Sequence, residues 1–413
     1  MHLPFLRRFQ VQGTVLFILG TAFLNLAGVG IIAPVLPFIT ADYTHPQDTA
    51  FVGSMLYTSY ALFQFLATPT LGALSDRFGR RPVLLISLFG SAIGYFIFGI
   101  GGSLLMLFAG RIIDGVTGGN IATIYAYAAD ITEPQQRTRF FGMLGAAAAL
   151  GFVFGPVLGF ITLSLTGLES SPLYAAGTLT LINVAWGYFA MPESLAPERR
   201  ETSIDLASLN PLRQLVAVFS MPSVRLMLIA TFLWAVSFAA MQSNLSFFAE
   251  AEYHWDATQT NVIFLLIGFV VVLTQGFGVP RLLPVLGEER MTLLGLGGIT
   301  TGFLLIALSP VLGGQWLMLF AVIPAAFGNG LIVPSLTALM SAAVSVREQG
   351  RIQGGNQAVQ ALARAIGPLV AGAAFTSITH SAPYLIGAAG LFLAAVIFEM
   401  SRRTPKLKRI PSA

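Results

Sequence analysis

Two charges inside an apolar stretch are the side chains best placed to do chemistry. Arg111 and Asp114 lie within the run from Leu104 to Ala128. Three residues apart, they share one face of a helix. Ten residues past Leu104, Asp114 would sit roughly 15 Å into a helical span, near the middle of a bilayer. Arg364 falls near mid-depth of a later apolar run. Charges at that depth cost several kcal/mol and face a bundle interior or a water-filled cavity rather than lipid. Burial and a neighbouring guanidinium act in opposite directions on a carboxylate's hold on its proton. Asp114 is therefore a candidate for proton exchange, with Arg111 modulating it; the alternative is a permanent pair that only fixes its helix. Uncharged polar residues in other apolar runs, Asn25, Tyr57, Gln64, Gln242, Asn329 and Gln360, are read with these three as the lining of a substrate cavity. For each amide taken alone, a hydrogen bond between helices is the competing role.

Other chemistries lack their residues. The chain has no cysteine, and its histidines, at 2, 45, 254 and 380, lie too far apart for a metal motif. Lysine occurs only at 406 and 408, so no glycine-rich phosphate loop can place one. No cofactor, metal or ATP site is expected, and no nucleophile with an adjacent base points to an enzyme.

These residues are carried by a chain that reads as membrane-embedded. Of its 413 residues, 55% are apolar and 10% charged, well below the quarter of charged residues usual in soluble domains. A span needs about 20 apolar residues, and by that measure twelve are found, near 13–38, 51–72, 82–101, 104–128, 139–163, 172–191, 225–249, 258–280, 291–310, 315–341, 352–377 and 382–400. Their continuity argues for helices rather than the alternating strands of a barrel. The expected fold is an all-α membrane protein of twelve transmembrane helices in two six-helix bundles.

The bases orient it. Twenty of the 22 Lys and Arg fall at the two ends of the chain and in every second connection, and the other two are Arg111 and Arg364. The alternate connections carry Asp42, Asp48, Glu169, Glu252 and Asp256 instead. Positive residues stay cytoplasmic, so both termini are expected there, in a cell (inner) membrane. The basic character is a topology signal and not a nucleic-acid surface. A monomer is expected.

A polar stretch from Pro192 to Pro222 separates six spans from six, giving an N-terminal bundle over 1–192, a cytoplasmic linker over 193–221, and a C-terminal bundle with a basic tail over 222–413. An offset of 212 superposes Phe108 on Phe320, Gly118 on Gly330, Arg139 on Arg351, Gly142 on Gly354 and Gly155-Pro156 on Gly367-Pro368. A duplicated six-helix unit would leave such a register, and paired repeats with a site between them are one recurring transporter plan.

Four motifs follow in order. Gly72-Ala-Leu-Ser-Asp76-Arg77-Phe-Gly79-Arg80-Arg81 resembles the signature loop between helices two and three of the major facilitator superfamily. Gly110-Arg111-Ile-Ile-Asp114-Gly115 resembles its fourth-helix motif. Gly151-Phe-Val-Phe-Gly155-Pro156-Val-Leu-Gly159 resembles the antiporter motif of drug:proton exporters. Asn25 to Pro37 resembles the first helix of tetracycline exporters. The resemblance implies that Gly72, Asp76, Arg77, Gly79, Arg80 and Arg81 form a cytoplasmic gate, with Asp76 as its latch. It also implies that Gly151, Gly155, Pro156 and Gly159 bias the direction of exchange; close helix packing and a bend at Pro156 are their plain physical role. The second-half counterpart, Gly276-Phe-Gly-Val-Pro280-Arg281, lacks the aspartate.

Tetracycline exporters carry an aspartate where this chain has Asn25, and further acids on helices three and nine, where this chain has none. That argues against tetracycline itself and concentrates any protonation on Asp114. The expected function is proton-coupled export of small, partly apolar compounds by alternating access. The alternative is a symporter or facilitator for a sugar-like or organic-anion nutrient.

Overall fold

Runs of twenty or more apolar residues become helices because, in hydrocarbon, each backbone amide must find its partner within the segment. A computed structural model of the chain describes residues 4–133, 136–204, 209–344 and 348–403. Arg347, Lys406, Lys408 and Arg409 of the basic pattern lie outside the described residues.

Contacts divide the chain into two units, Met1–Tyr43 with Ser59–Pro211, and Thr44–Thr58 with Leu212–Ala413. In the first unit lie α1 (Pro4–Ile32), α2 (Leu36–Ala41), α4 (Arg80–Ile100), α5 (Leu104–Gly118), α6 (Ile121–Ile131), α7 (Arg137–Thr166) and α8 (Ser171–Ala190), with most of α3 (Thr49–Phe78). The second contains α10 (Arg225–Tyr253), α11 (Ala257–Leu273), α12 (Val279–Leu312), α13 (Gly314–Ala342), α14 (Gln349–Ser377) and α15 (Ala382–Arg403). A short helix, α9 (Pro211–Phe219), precedes them. Ten stretches are long and apolar enough to cross a membrane. One of these, Ala257–Leu312, holds two spans, and α8, diluted by Ser, Thr and Asn, supplies another. The described residues thus hold twelve spans, as the hydropathy predicts.

Three spans differ in detail. The first is not one element over 13–38: α1 ends at Ile32, and α2 restarts beyond Pro34. Proline removes a helix donor and disfavours helical geometry at the residue before it. The fourth, read as continuous over 104–128, is broken at Gly119 and Asn120 into α5 and α6, where residues of poor helix propensity cluster. Between α11 and α12 the chain makes a π-helical turn, Thr274–Gly278, and Gly287 (φ 68°, ψ 168°) then interrupts α12. By contrast, α7 runs as one helix through Pro156.

Glycine sets the packing inside each unit. On α7, Gly151 and Gly155 lie so close to the carbonyls of Phe23 and Ala27 on α1 that no Cβ would fit. Pro156 and Gly159 are buried beside them. In the second unit Gly367 of α14 meets Val236, Ala239 and Ala240 of α10 in the same way. The 212-residue offset that relates Gly155 to Gly367 also relates Ala27 to Ala239, so residues in equivalent positions meet in both units.

Candidate functional site

Ser103 caps α5, accepting from the Met106 amide at 3.3 Å, and this fixes the start of the helix that carries both charges. Arg111 Nη1 lies 3.3 Å from Asp114 Oδ2, with both side chains buried. Two rings enclose the guanidinium: its Cζ is 4.2 Å from the Tyr60 centroid and 5.7 Å from that of Phe98. Cation–π attraction strengthens as water is removed, so the cage gives Arg111 a second attraction besides Asp114. Gly94 on α4 makes room for the acid, since a Cβ there would lie 2.8 Å from Asp114 Cβ and 2.8 Å from the Gly110 carbonyl. The Ser91 and Thr117 hydroxyls meet at 2.9 Å next to Asp114.

From this pair a polar chain runs to the break in the fourth span. Gln64 Nε2 donates to Tyr60 OH at 3.0 Å and to the Gly118 carbonyl, at the end of α5, at 3.1 Å. Two residues on, Asn120 accepts from Asn25 Nδ2 of α1 at 2.9 Å. Asn120 is fully buried, and its Nδ2 has no hydrogen-bond partner among the described residues. Of the residues read as cavity lining, Asn25, Gln64, Arg111 and Asp114 are therefore gathered within the first unit.

The other five belong to the second unit. Tyr57 is buried, Gln242 on α10, Asn329 on α13 and Gln360 on α14 are half-buried, and Arg364 is exposed. Gln353, Gln357, Gln360 and Arg364 follow at intervals of four, three and four, a single helix face. An arginine exposed on a membrane span faces water or protein, not acyl chains.

The loop resembling a gate is held by carboxylates. Gly79 adopts φ 106°, a conformation that favours glycine. A Cβ there would also collide with the Glu193 carboxylate. Glu193 accepts from the backbone amides of Arg80 at 2.9 Å and Arg81 at 3.2 Å, and so satisfies the open amides at the start of α4. Arg80 is buried and bonds three ways, to Asp76 at 2.5 Å, Asp130 at 3.2 Å and the Ser75 hydroxyl at 2.7 Å. Arg81 donates to the Tyr188 carbonyl at 2.5 Å, and Arg77 lies over Phe78. Gly72, half-buried on α3, faces Ala122 of α6. Asp76 is thus tied to Arg80 inside its own unit.

The partners of these charges carry little sequence signal of their own; the i,i+4 spacing of Tyr60 to Gln64 is the usable one. Glu193 lies 113 residues from the amide it caps; it resembled an ordinary charge in a polar linker.

Comparison with known proteins gives the family. Residues 18–368 match the family model of the Major Facilitator Superfamily. The chain belongs to that superfamily. Among curated relatives, it is 34% identical over 383 residues to the class C tetracycline resistance protein of Escherichia coli, covering 92% of this chain and 94% of that protein. It is 31% identical over 352 residues to human major facilitator superfamily domain-containing protein 10, covering 79% and 74%. Among solved structures, the human organic anion transporter MFSD10 (TETRAN) superposes with a TM-score of 0.72 at 26% identity, covering 94% of this chain and 99% of that one. The nucleoside transporter NupG superposes with a TM-score of 0.73 at 17% identity over the same shares, a likeness of fold alone. The protein is a multi-pass membrane transporter of this superfamily.

Proposed function

We propose that the protein is a proton-coupled antiporter that exports small, partly apolar compounds. The observation that carries this reading is a carboxylate and a guanidinium sealed together at mid-depth of a span, with aromatic rings around the cation. A buried carboxylate can be neutralised by a proton, whereas an arginine cannot. In this mechanism, a proton taken up by Asp114 loosens its hold on Arg111, which stays on the Tyr60 face. Gln64 carries the change from Tyr60 to the carbonyl end of α5, where Asn120 and Asn25 offer amide groups to a substrate. The two halves move against one another to alternate access, with both termini on the cytoplasmic side, and the working unit is a monomer. The tetracycline resistance proteins among its relatives support export.

A second reading has one specific support: exposed Arg364 on the polar face of α14, together with the similarity to the human organic anion transporter MFSD10. It makes the substrate anionic and the protein an uptake system. A thermal-shift screen of purified protein at two pH values would supply a ligand. Adding that ligand to acidified everted vesicles distinguishes the readings: an antiporter alkalinises the lumen, while a symporter or facilitator leaves it unchanged or more acidic.

A further inference from the structure

The last turn of α10, which ends at Tyr253, carries two acids, Glu250 and Glu252, and no base. Carboxylates there lie at the negative pole of the helix and are stabilised by a cation. Residues 245–260, 305–318 and 376–385, which meet at this end of the second unit, contain no lysine or arginine. Their basic residues are histidines, His254 and His380.

Side-chain links lace this end together. Tyr253 OH and Ser309 Oγ meet at 2.7 Å, joining α10 to α12. Trp255 Nε1 donates to Gln315 Oε1 of α13 at 2.8 Å. Ser381 Oγ, in the connection from α14 to α15, donates to the Ala307 carbonyl of α12 at 2.8 Å. Hydroxyl, indole and amide links of this kind carry no charge near neutral pH. A further link differs: His380 Nδ1, in the same connection as Ser381, lies 2.6 Å from Glu252 Oε1. The imidazole also stacks on Phe375 of α14, with centroids 4.5 Å apart and planes at 19°.

Imidazole is the side chain whose charge changes between about pH 5 and 8. Once protonated, the ring meets Glu252 as an opposite charge, which makes a hydrogen bond roughly twice as strong, and it gains attraction to the Phe375 face. Both gains disappear when the proton leaves. The His380 side chain is 44% exposed and that of Glu252 25%, so a proton can reach the pair from outside the fold.

We propose that His380 and Glu252 form a second proton-binding site, a clasp that ties the α14–α15 connection to the end of α10. It closes when the imidazole is charged and slackens when the ring is neutral. The other titratable groups at this end are Glu250, Tyr253 and His254 on or beside α10, Asp256 at the start of α11 and Tyr384 on α15. Its place in transport rests on the reading of the protein as an exporter with cytoplasmic termini: α10 then ends outside, and external acid closes the clasp.

Hydrogen exchange of the full chain in detergent, followed by mass spectrometry at about pH 5.5 and 8 and corrected for intrinsic rates, tests the clasp. The unaltered protein should exchange about fivefold more slowly over residues 250–256 and 377–383 at the lower pH. His380→Gln and Glu252→Gln should each remove that contrast. His380→Arg, a permanent cation, should give slow exchange at both pH values. His254→Asn should leave the contrast intact, and Tyr253→Phe, which loses an uncharged link, should speed exchange by the same factor at both. An unaltered protein without the contrast, or a His380→Gln protein that keeps it, would overturn the clasp. The measurement needs neither substrate nor gradient, so its outcome is separate from that of the export reading, which fails instead if added ligand leaves the vesicle lumen unchanged.

Discussion

The two halves of the molecule share their packing and differ in their charges. Ala27 with Gly155 and Ala239 with Gly367 are close helix contacts between residues in equivalent positions, 212 residues apart. The same offset carries Arg111 and Asp114 onto Ile323 and Ala326. Where α5 buries an ion pair, α13 presents aliphatic carbon. The second unit contributes polarity of another kind, an exposed face on α14 and a fully buried amide, Asn244, whose nitrogen and oxygen have no hydrogen-bond partner among the described residues. Helix–helix packing tolerates little change in shape, and small residues stand at equivalent positions in both halves. Among the described residues, a buried ion pair within a span is found in the first half.

Removing one charge should break the comparison most severely. Arg111→Ala leaves the Asp114 carboxylate buried and unpaired and should cost about 3–5 kcal/mol, seen as loss of folded protein on detergent thermal unfolding. The double change Arg111→Met with Asp114→Ala makes the first half resemble the second. It should recover most of that stability while driven transport stays lost.

The shared packing is the next target. Gly155→Ala and Gly367→Ala each force a methyl into a neighbouring helix backbone, and each should cost roughly 1–3 kcal/mol. Similar falls in unfolding temperature for both variants would sharpen the equivalence; a large effect in only one would break it.

Smaller effects isolate what the first half alone possesses. Tyr60→Leu removes the nearer wall of the cation cage and should cost about 1–2 kcal/mol, while Tyr60→Phe keeps the ring and loses the bond from Gln64. Glu193→Ala uncovers the start of α4 at a cost of roughly 1 kcal/mol, read as faster amide exchange over the first turn. The smallest change concerns Glu169, in the connection between α7 and α8. Partial burial and then the Asp42 carboxylate hold its pKa above the usual range. A raised carboxylate favours the folded protein while protonated, and that contribution is lost as pH rises. Glu169→Gln should therefore stabilise slightly, by at most about 0.5 kcal/mol, at neutral pH and not at acid pH.

Much of this was legible in the chain, and the remainder has a physical reason for being hidden. Hydropathy reads along the backbone, so it found the spans and the charges that violate them, Arg111, Asp114 and Arg364. Partners are chosen across space: Asn25 pairs with Asn120 and Gln64 reaches Gly118, at separations of 95 and 54 residues. Periodicity carries no trace of such pairings. The break at Gly119 was readable from its glycines and asparagine, but a strong apolar average concealed it. The proline at 156, by contrast, lies inside α7 without ending it.

Coupled transport in this mechanism requires Asp114 to exchange its proton as the substrate crosses, and reconstituted Asp114→Asn protein tests that most directly. In vesicles, with a ligand found by thermal shift, the variant should lose accumulation driven by a proton gradient and retain exchange of labelled for unlabelled substrate. Driven accumulation equal to that of the unaltered protein would contradict it.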